Sequence, residues 1–116
     1  MENQPLPTIT DEYMVQMDAR AGHYSLMILK SGAARHQDGA DKIIWEHARE
    51  IHALRVAGLL SIVCPVSDGS EIEGIGIFNA SVEEVKTLMD EHPGVKAGLF
   101  VYEIHPCRSY PGDSLP

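Results

Sequence analysis

The chain reads as an α+β domain, a four-stranded antiparallel sheet with two helices on one face. Three observations predict it. The apolar patterns follow the order strand, helix, strand, strand, helix, strand. The two middle strands are joined by Ser67-Asp68-Gly69-Ser70, which is turn chemistry. Each helical pattern carries its own punctuation, Gly58 after the first and Pro93-Gly94 after the second. A chain of 116 residues fits one domain.

Residues 1–22 stand apart as an N-terminal arm. Two prolines and Asp11-Glu12 mark it as loosely held. Met14 and Met17, one helical turn apart, allow a short helix docked on the body, ended by Gly22. The domain proper spans 23–107. His23–Lys30 is its first strand, and the continuous run Leu26, Met27, Ile28, Leu29 predicts that both its faces are covered. A Gly- and Ala-rich loop follows, in which Asp38 or Asp41 is placed to cap the next helix.

That helix is predicted from about Lys42 to Ala57. At roughly 100° per residue, Ile43, Ile44, Ile51 and Leu54 share one side, and His47 falls within their stripe. Strands at Leu59–Val66 and Ile72–Asn79 form a hairpin, and in the second the alternation of Ile75 and Ile77 with glycines predicts one packed face and one closely approached. Ser81-Val82-Glu83-Glu84 is a capping box that opens the second helix, with Val85, Leu88 and Met89 facing inward. Gly98–Pro106 is the fourth strand, with Phe100, Tyr102 and Ile104 on one face and Leu99, Val101, Glu103 and His105 on the other. The tail, 108–116, is turn-rich. This split βαβ pair is the ferredoxin-like βαββαβ arrangement. It leaves one sheet face bare, so the apolar first strand predicts a homodimer.

The net charge of −8 argues against nucleic acid or an anionic membrane surface as partner. No run approaches the roughly 18 apolar residues of a membrane span, and the N-terminus lacks the pattern of a signal peptide. Two cysteines, Cys64 and Cys107, make no disulfide framework, so a reduced, cytoplasmic setting is expected.

The chemistry-bearing candidates are few. An imidazole on an apolar helical stripe is either a core histidine satisfied by backbone carbonyls or a functional group. Asp68, taken alone, is a turn former. Paired with His47 it would fix the imidazole tautomer and raise the basicity of the other nitrogen, as general-base catalysis near neutral pH requires. His52 lies about 140° round the helix from His47, so the two do not share a metal. His36, His92 and His105 lack ligand spacing, and Gly74-Ile75-Gly76 lacks the third glycine and the helix of a dinucleotide site. Neither metal nor cofactor is expected. Cys64 reads as a small hydrophobe, or as a thiol lining the site. His105 reads as a solvated residue, or as one lining the same cleft.

Several motifs, in order, resemble the YCII-related domain family: Glu46-His47, Ala57-Gly58-Leu59-Leu60, Pro65-Val66-Ser67-Asp68-Gly69, Ser81-Val82-Glu83-Glu84-Val85, His92-Pro93 before Ala97-Gly98-Leu99, and Glu103-Ile104-His105-Pro106. The resemblance covers about His23 to Cys107. It implies a small scaffold whose two copies pair as a dimeric α/β barrel, with a His–Asp pair in a cleft near the sheet, the histidine mapping to His47 and the aspartate to Asp68. The chain departs from the family pattern twice, with Cys64-Pro65 for Gly-Pro and His92-Pro93 for Asp-Pro. Lyase, dehalogenation and isomerase-like activities are among those of related proteins. The sequence points to a cofactor-free acid–base enzyme acting on a small cyclic or aromatic-derived metabolite through His47 and Asp68. The alternative is a non-catalytic small-ligand-binding or accessory protein using the same cleft.

Overall fold

The computed structural model describes residues 4–116; the first three residues of the expected arm lie outside them. Its elements are α1 (Asp11–Arg20), β1 (Gly22–Ser31), α2 (Ala40–Val56), β2 (Leu60–Pro65), β3 (Ile72–Phe78), α3 (Val82–Asp90), α4 (Pro93–Lys96) and β4 (Phe100–Ser109). The strands form one antiparallel sheet in the order β2-β3-β1-β4. With α2 and α3 as its two crossing helices, this is the ferredoxin-like fold.

The register explains which residues are inside. Residues paired across an antiparallel ladder share a face. Met27 faces Gly76 and Ile104, and Leu29 faces Gly74 and Tyr102, on the side that the helices cover. There Met27, Leu29, Leu60, Phe78 and Phe100 join Ile51 of α2 and Val85 and Met89 of α3 in one buried core. The intervening residues point the other way. Leu26 with Ile77, Ile28 with Ile75 and Ile62 with Ile77 form apolar rows on the open face, and none of them is fully buried. The continuous apolar run of β1 thus has two faces to serve, and this chain covers one.

Local signals act as their chemistry dictates. The Ser81 hydroxyl accepts from the Glu84 backbone N–H at 3.1 Å while the Glu84 carboxylate accepts from the Ser81 N–H at 3.2 Å. Gly58, at φ 82°, turns the chain out of α2 in the left-handed region where a side chain is strained.

Several expectations need correction. α2 is capped by neither Asp38 nor Asp41; its N-cap is Gly39, which has no side chain to offer. Pro93-Gly94 does not stop the second helix, which ends at Asp90, but opens the single turn α4. β4 starts at Phe100 and runs on to Ser109 through Pro106, which an edge strand tolerates; Leu99, expected on the Val101 face, precedes the strand and is buried in the core. The arm does contain a helix, α1, capped by Thr10, but none of its residues is buried. It lies beside the C-terminal segment, where Tyr13, Met14 and Met17 share a shallow concavity with Tyr110 and Asp113. Among the described residues, no helix is long and apolar enough to cross a membrane.

Candidate functional site

The stripe of α2 lies on the sheet and carries His47 inward with it. Ile51 is buried, Ile43, Ile44 and Leu54 pack against the core, and His47 is half-buried. Between α2 and the sheet is a cavity of about 250 Å³ whose walls include Ile44, His47, Ile51, Val63 and Phe100. Its floor includes Gly74, which faces Leu29 and Pro65 in the ladder. Both glycines of this face are closely approached: an added Cβ would lie 3.2 Å from the Cys64 carbonyl oxygen at Gly74 and 3.0 Å from Leu60 Cδ1 at Gly76. The face of close approach expected from the glycine alternation is thus the helix-covered one.

His47 meets two rings. Its Nδ1 lies 3.3 Å from Nδ1 of His92, with the ring planes at 61°. Phe100 lies against it at 4.5 Å between centroids. Partial burial, aided by the neighbouring His92 and Arg35 against the opposing charge of Glu73, pushes the pKa of His47 down to about 4. The imidazole is therefore neutral at pH 7. Its Nε2 has no partner among the described residues, and it is not a buried atom.

His92 is 4% exposed, its Nε2 is buried without a partner, and burial lowers its pKa against the charge of Glu50. It reaches His47 because α3 ends at Asp90 and the chain turns sharply into Pro93-Gly94. Gly94 is required there: a Cβ on it would lie 2.5 Å from Phe100 Cδ2 and 3.5 Å from His47 Nδ1.

Two charged groups enter the cavity wall from unexpected places. Arg35 sits in the loop between β1 and α2, which is pinned to the start of β4 by Gly32 N–H to Leu99 O at 2.7 Å and Ala34 N–H to Gly98 O at 3.0 Å. Its guanidinium lies over Phe100, 5.7 Å from the ring centroid, and its Nε donates to Glu73 at 2.9 Å. Strand alternation alone would send Glu73 to the open face with Ile75. A β-bulge prevents this: Leu29 pairs with Gly74 but Lys30 with Ile72, so Glu73 is the extra residue and turns to the helix side. Partial burial would raise its carboxyl pKa, but hydrogen bonds from Ser31 and Arg35 outweigh that and hold it below the usual carboxylate range.

The other candidates lie elsewhere. Asp68 does not pair with His47 within this chain. Its Oδ1 accepts from Ser70 N–H at 3.0 Å in an exposed turn, and the Ser70 hydrogen bonds lower its pKa. The turn captures its own carboxylate, which is the ordinary behaviour of Asp two residues before an available N–H. Cys64 pairs with Ile75 on the open face of the sheet and is exposed. His105 pairs with Leu26 on that same face, where its Nε2 lies 3.1 Å from Glu103. Neither lines the cavity of His47, because strand alternation puts them on opposite sides of the sheet. His52 is exposed at the cavity margin, 3.1 Å from Arg55. Among the described residues, no three His, Cys, Asp or Glu side chains converge as a metal site.

Nothing in the sequence marks Arg35, Glu73 or His92 as neighbours of His47. The departure at His92-Pro93 was visible, but a scattered histidine carries no signal of which ring it will meet.

No protein-family model matches the chain, and no curated protein matches it. Among solved structures it is similar to 5-chloro-2-hydroxyhydroquinone dehydrochlorinase from Burkholderia phenoliruptrix AC1100, in complex with 2,5-dihydroxybenzoquinone. The likeness has 18% identity and a TM-score of 0.48 and covers 71% of this chain and 90% of that one. An alignment this loose transfers no residue role.

Proposed function

We propose that this chain is a cofactor-free acid–base enzyme, of lyase, isomerase or dehalogenase type, acting on a single-ring metabolite held beside His47. The observation that carries the reading is a neutral imidazole with one unpartnered nitrogen on the wall of a largely apolar cavity. The size suits a ring: an apolar cavity of about 150 Å³ suffices for benzene, and this one is about 250 Å³. Apolar walls orient the ring, and His47 meets its reacting edge. Arg35 and Glu73 supply the charged part of the wall, in place of the Asp68 expected from the sequence. Membership of the YCII-related group belongs to this reading, and so does a homodimer in which a second copy covers the open sheet face. A cytoplasmic setting fits the two unpaired thiols, Cys64 and Cys107.

The test is turnover of a panel of cyclic enolisable ketones and halogenated phenols, followed by mass spectrometry. His47→Gln is expected to stay folded and lose about a hundredfold or more in turnover. An unaltered rate in that variant would sink the reading. The depressed basicity of His47 favours one other reading, a ligand-binding or accessory protein using the same cavity without chemistry. Saturable binding by calorimetry with no product formed would establish that one instead.

A further inference from the structure

We propose that His92 is a positioning residue that holds His47 in its Nε2–H tautomer, so that the cavity receives a hydrogen-bond donor and takes a ligand with an acceptor oxygen, a ring carbonyl or an enolate. The assignment of ligand rests on the cavity being a ligand site; the assignment of tautomer does not.

The argument is one of proton accounting. The two Nδ1 atoms stand 3.3 Å apart, so one must carry a proton and the other must offer a lone pair. Two lone pairs there would repel, and two protons would clash. If His92 accepted, its single proton would sit on Nε2, a fully buried N–H with nothing to receive it. If His92 donates, its Nε2 is a bare acceptor. Buried orphan N–H groups are the rarer and costlier kind, so His92 donates. The lone pair of His47 Nδ1 is then occupied, and the one proton of neutral His47 is on Nε2, the nitrogen left open.

This changes what the site can do at rest. An N–H aimed at a ring carbonyl polarises it and stabilises charge that develops on its oxygen. For His47 to take up a proton at Nε2, the pair must first exchange tautomers, which strands the proton of His92 in the core. The charged groups that act on the pair are Glu73 and Arg35 at His47 and Glu50 at His92. Neither carboxylate is hydrogen-bonded to either ring, so neither replaces the His–His contact as the orienting bond.

Long-range proton–nitrogen NMR of the full chain, labelled with 15N-histidine at pH 7.5, reads both tautomers without any ligand. The expected spectrum has His47 protonated at Nε2 and His92 at Nδ1; a bare Nε2 on His47 would overturn the proposal. His92→Asp replaces the donor by an acceptor, so the His47 tautomer is expected to reverse and its pKa to rise by about 1–3 units. His92→Asn keeps an N–H and is expected to keep the tautomer. An unmoved tautomer in folded His92→Asp would remove His92 from its role, and if neither variant folds the wild-type spectrum still decides. Cyclohexanone labelled with 13C at the carbonyl then probes the ligand class, with a downfield shift expected on binding to the wild type. Binding without that shift overturns the ligand assignment alone. No binding overturns the ligand assignment together with the cavity reading, whatever the tautomer.

Discussion

The two faces of the sheet are built from alternate residues of the same four strands, yet they have different fates. On the helix-covered face Phe100 is 3% exposed; on the open face its neighbour Val101 is 52% exposed. The covered face is filled by Met27, Leu29, Leu60 and Phe78, and the cavity lies between that face and α2. The open face is as apolar in its middle, with Leu26, Ile28, Ile62, Ile75 and Ile77, and is bordered on β4 by the Lys30–Glu103 ion pair and His105. The comparison teaches that apolar character does not by itself make a site. A cavity with an imidazole in it needs a layer above the sheet, and only one face has that layer. It also explains why Cys64 and His105 cannot join His47 in one cavity.

Perturbing the covered face should have the larger effects. Phe100→Ala removes the ring that supports both His47 and Arg35 and should cost about 3–5 kcal/mol in urea unfolding. A cost below 1 kcal/mol would mean that the ring is not the keystone of this face. Gly94→Ala drives a methyl group into Phe100, the ring that packs on His47, with an expected loss of about 1–3 kcal/mol and a shift of the His47 ring resonances. Wild-type stability with unmoved resonances would show that the α4 turn gives way.

Acid should also weaken the covered face. The unfolded His47 takes up a proton near pH 6.5, while the folded ring stays neutral down to about 4. Between those values the unfolded state binds more protons, so unfolding free energy should fall as pH is lowered through that window. The lowered pKa of His92 acts in the same direction. His47→Gln should flatten part of the decline, and an unchanged pH profile would show that the ring is not withheld from protons.

The smallest effect is expected on the open face. Ile77→Lys should alter the unfolding of dilute protein by less than about 1 kcal/mol, since a lysine stem can lie along the apolar row with its charge in water. If a second copy covers that face, sedimentation velocity should show a two-chain species for the wild type and a single chain for Ile77→Lys. A wild type that sediments as one chain at every concentration would leave the face uncovered.

Much of the architecture was legible because it rests on short periods. The stripe of Ile43, Ile44, Ile51 and Leu54, the capping box at Ser81, the stop at Gly58 and the hairpin turn at Ser67–Ser70 each involve residues within a few positions of one another. Their geometry follows from helix pitch, strand alternation and backbone hydrogen bonding alone. His47 was legible as an anomaly in such a pattern.

Its surroundings were not. Asp68 has the right chemistry for a partner, but the Ser70 N–H is closer at hand and takes the carboxylate. Glu73 is turned toward the cavity by one residue of slippage between β1 and β3, which no pattern within β3 announces. Arg35 and His92 come from loops pinned to distant strands. The sequence by itself determined the order of the four strands and two main helices, the alternation along each strand and the helix that carries the imidazole, because those are local consequences of residue type, whereas which face of β3 the helices cover was left to the packing. Only the tertiary structure decided that His92 is the ring's hydrogen-bonding neighbour and Glu73 with Arg35 its charged ones, because meetings across 38 to 45 residues depend on strand register and loop anchoring.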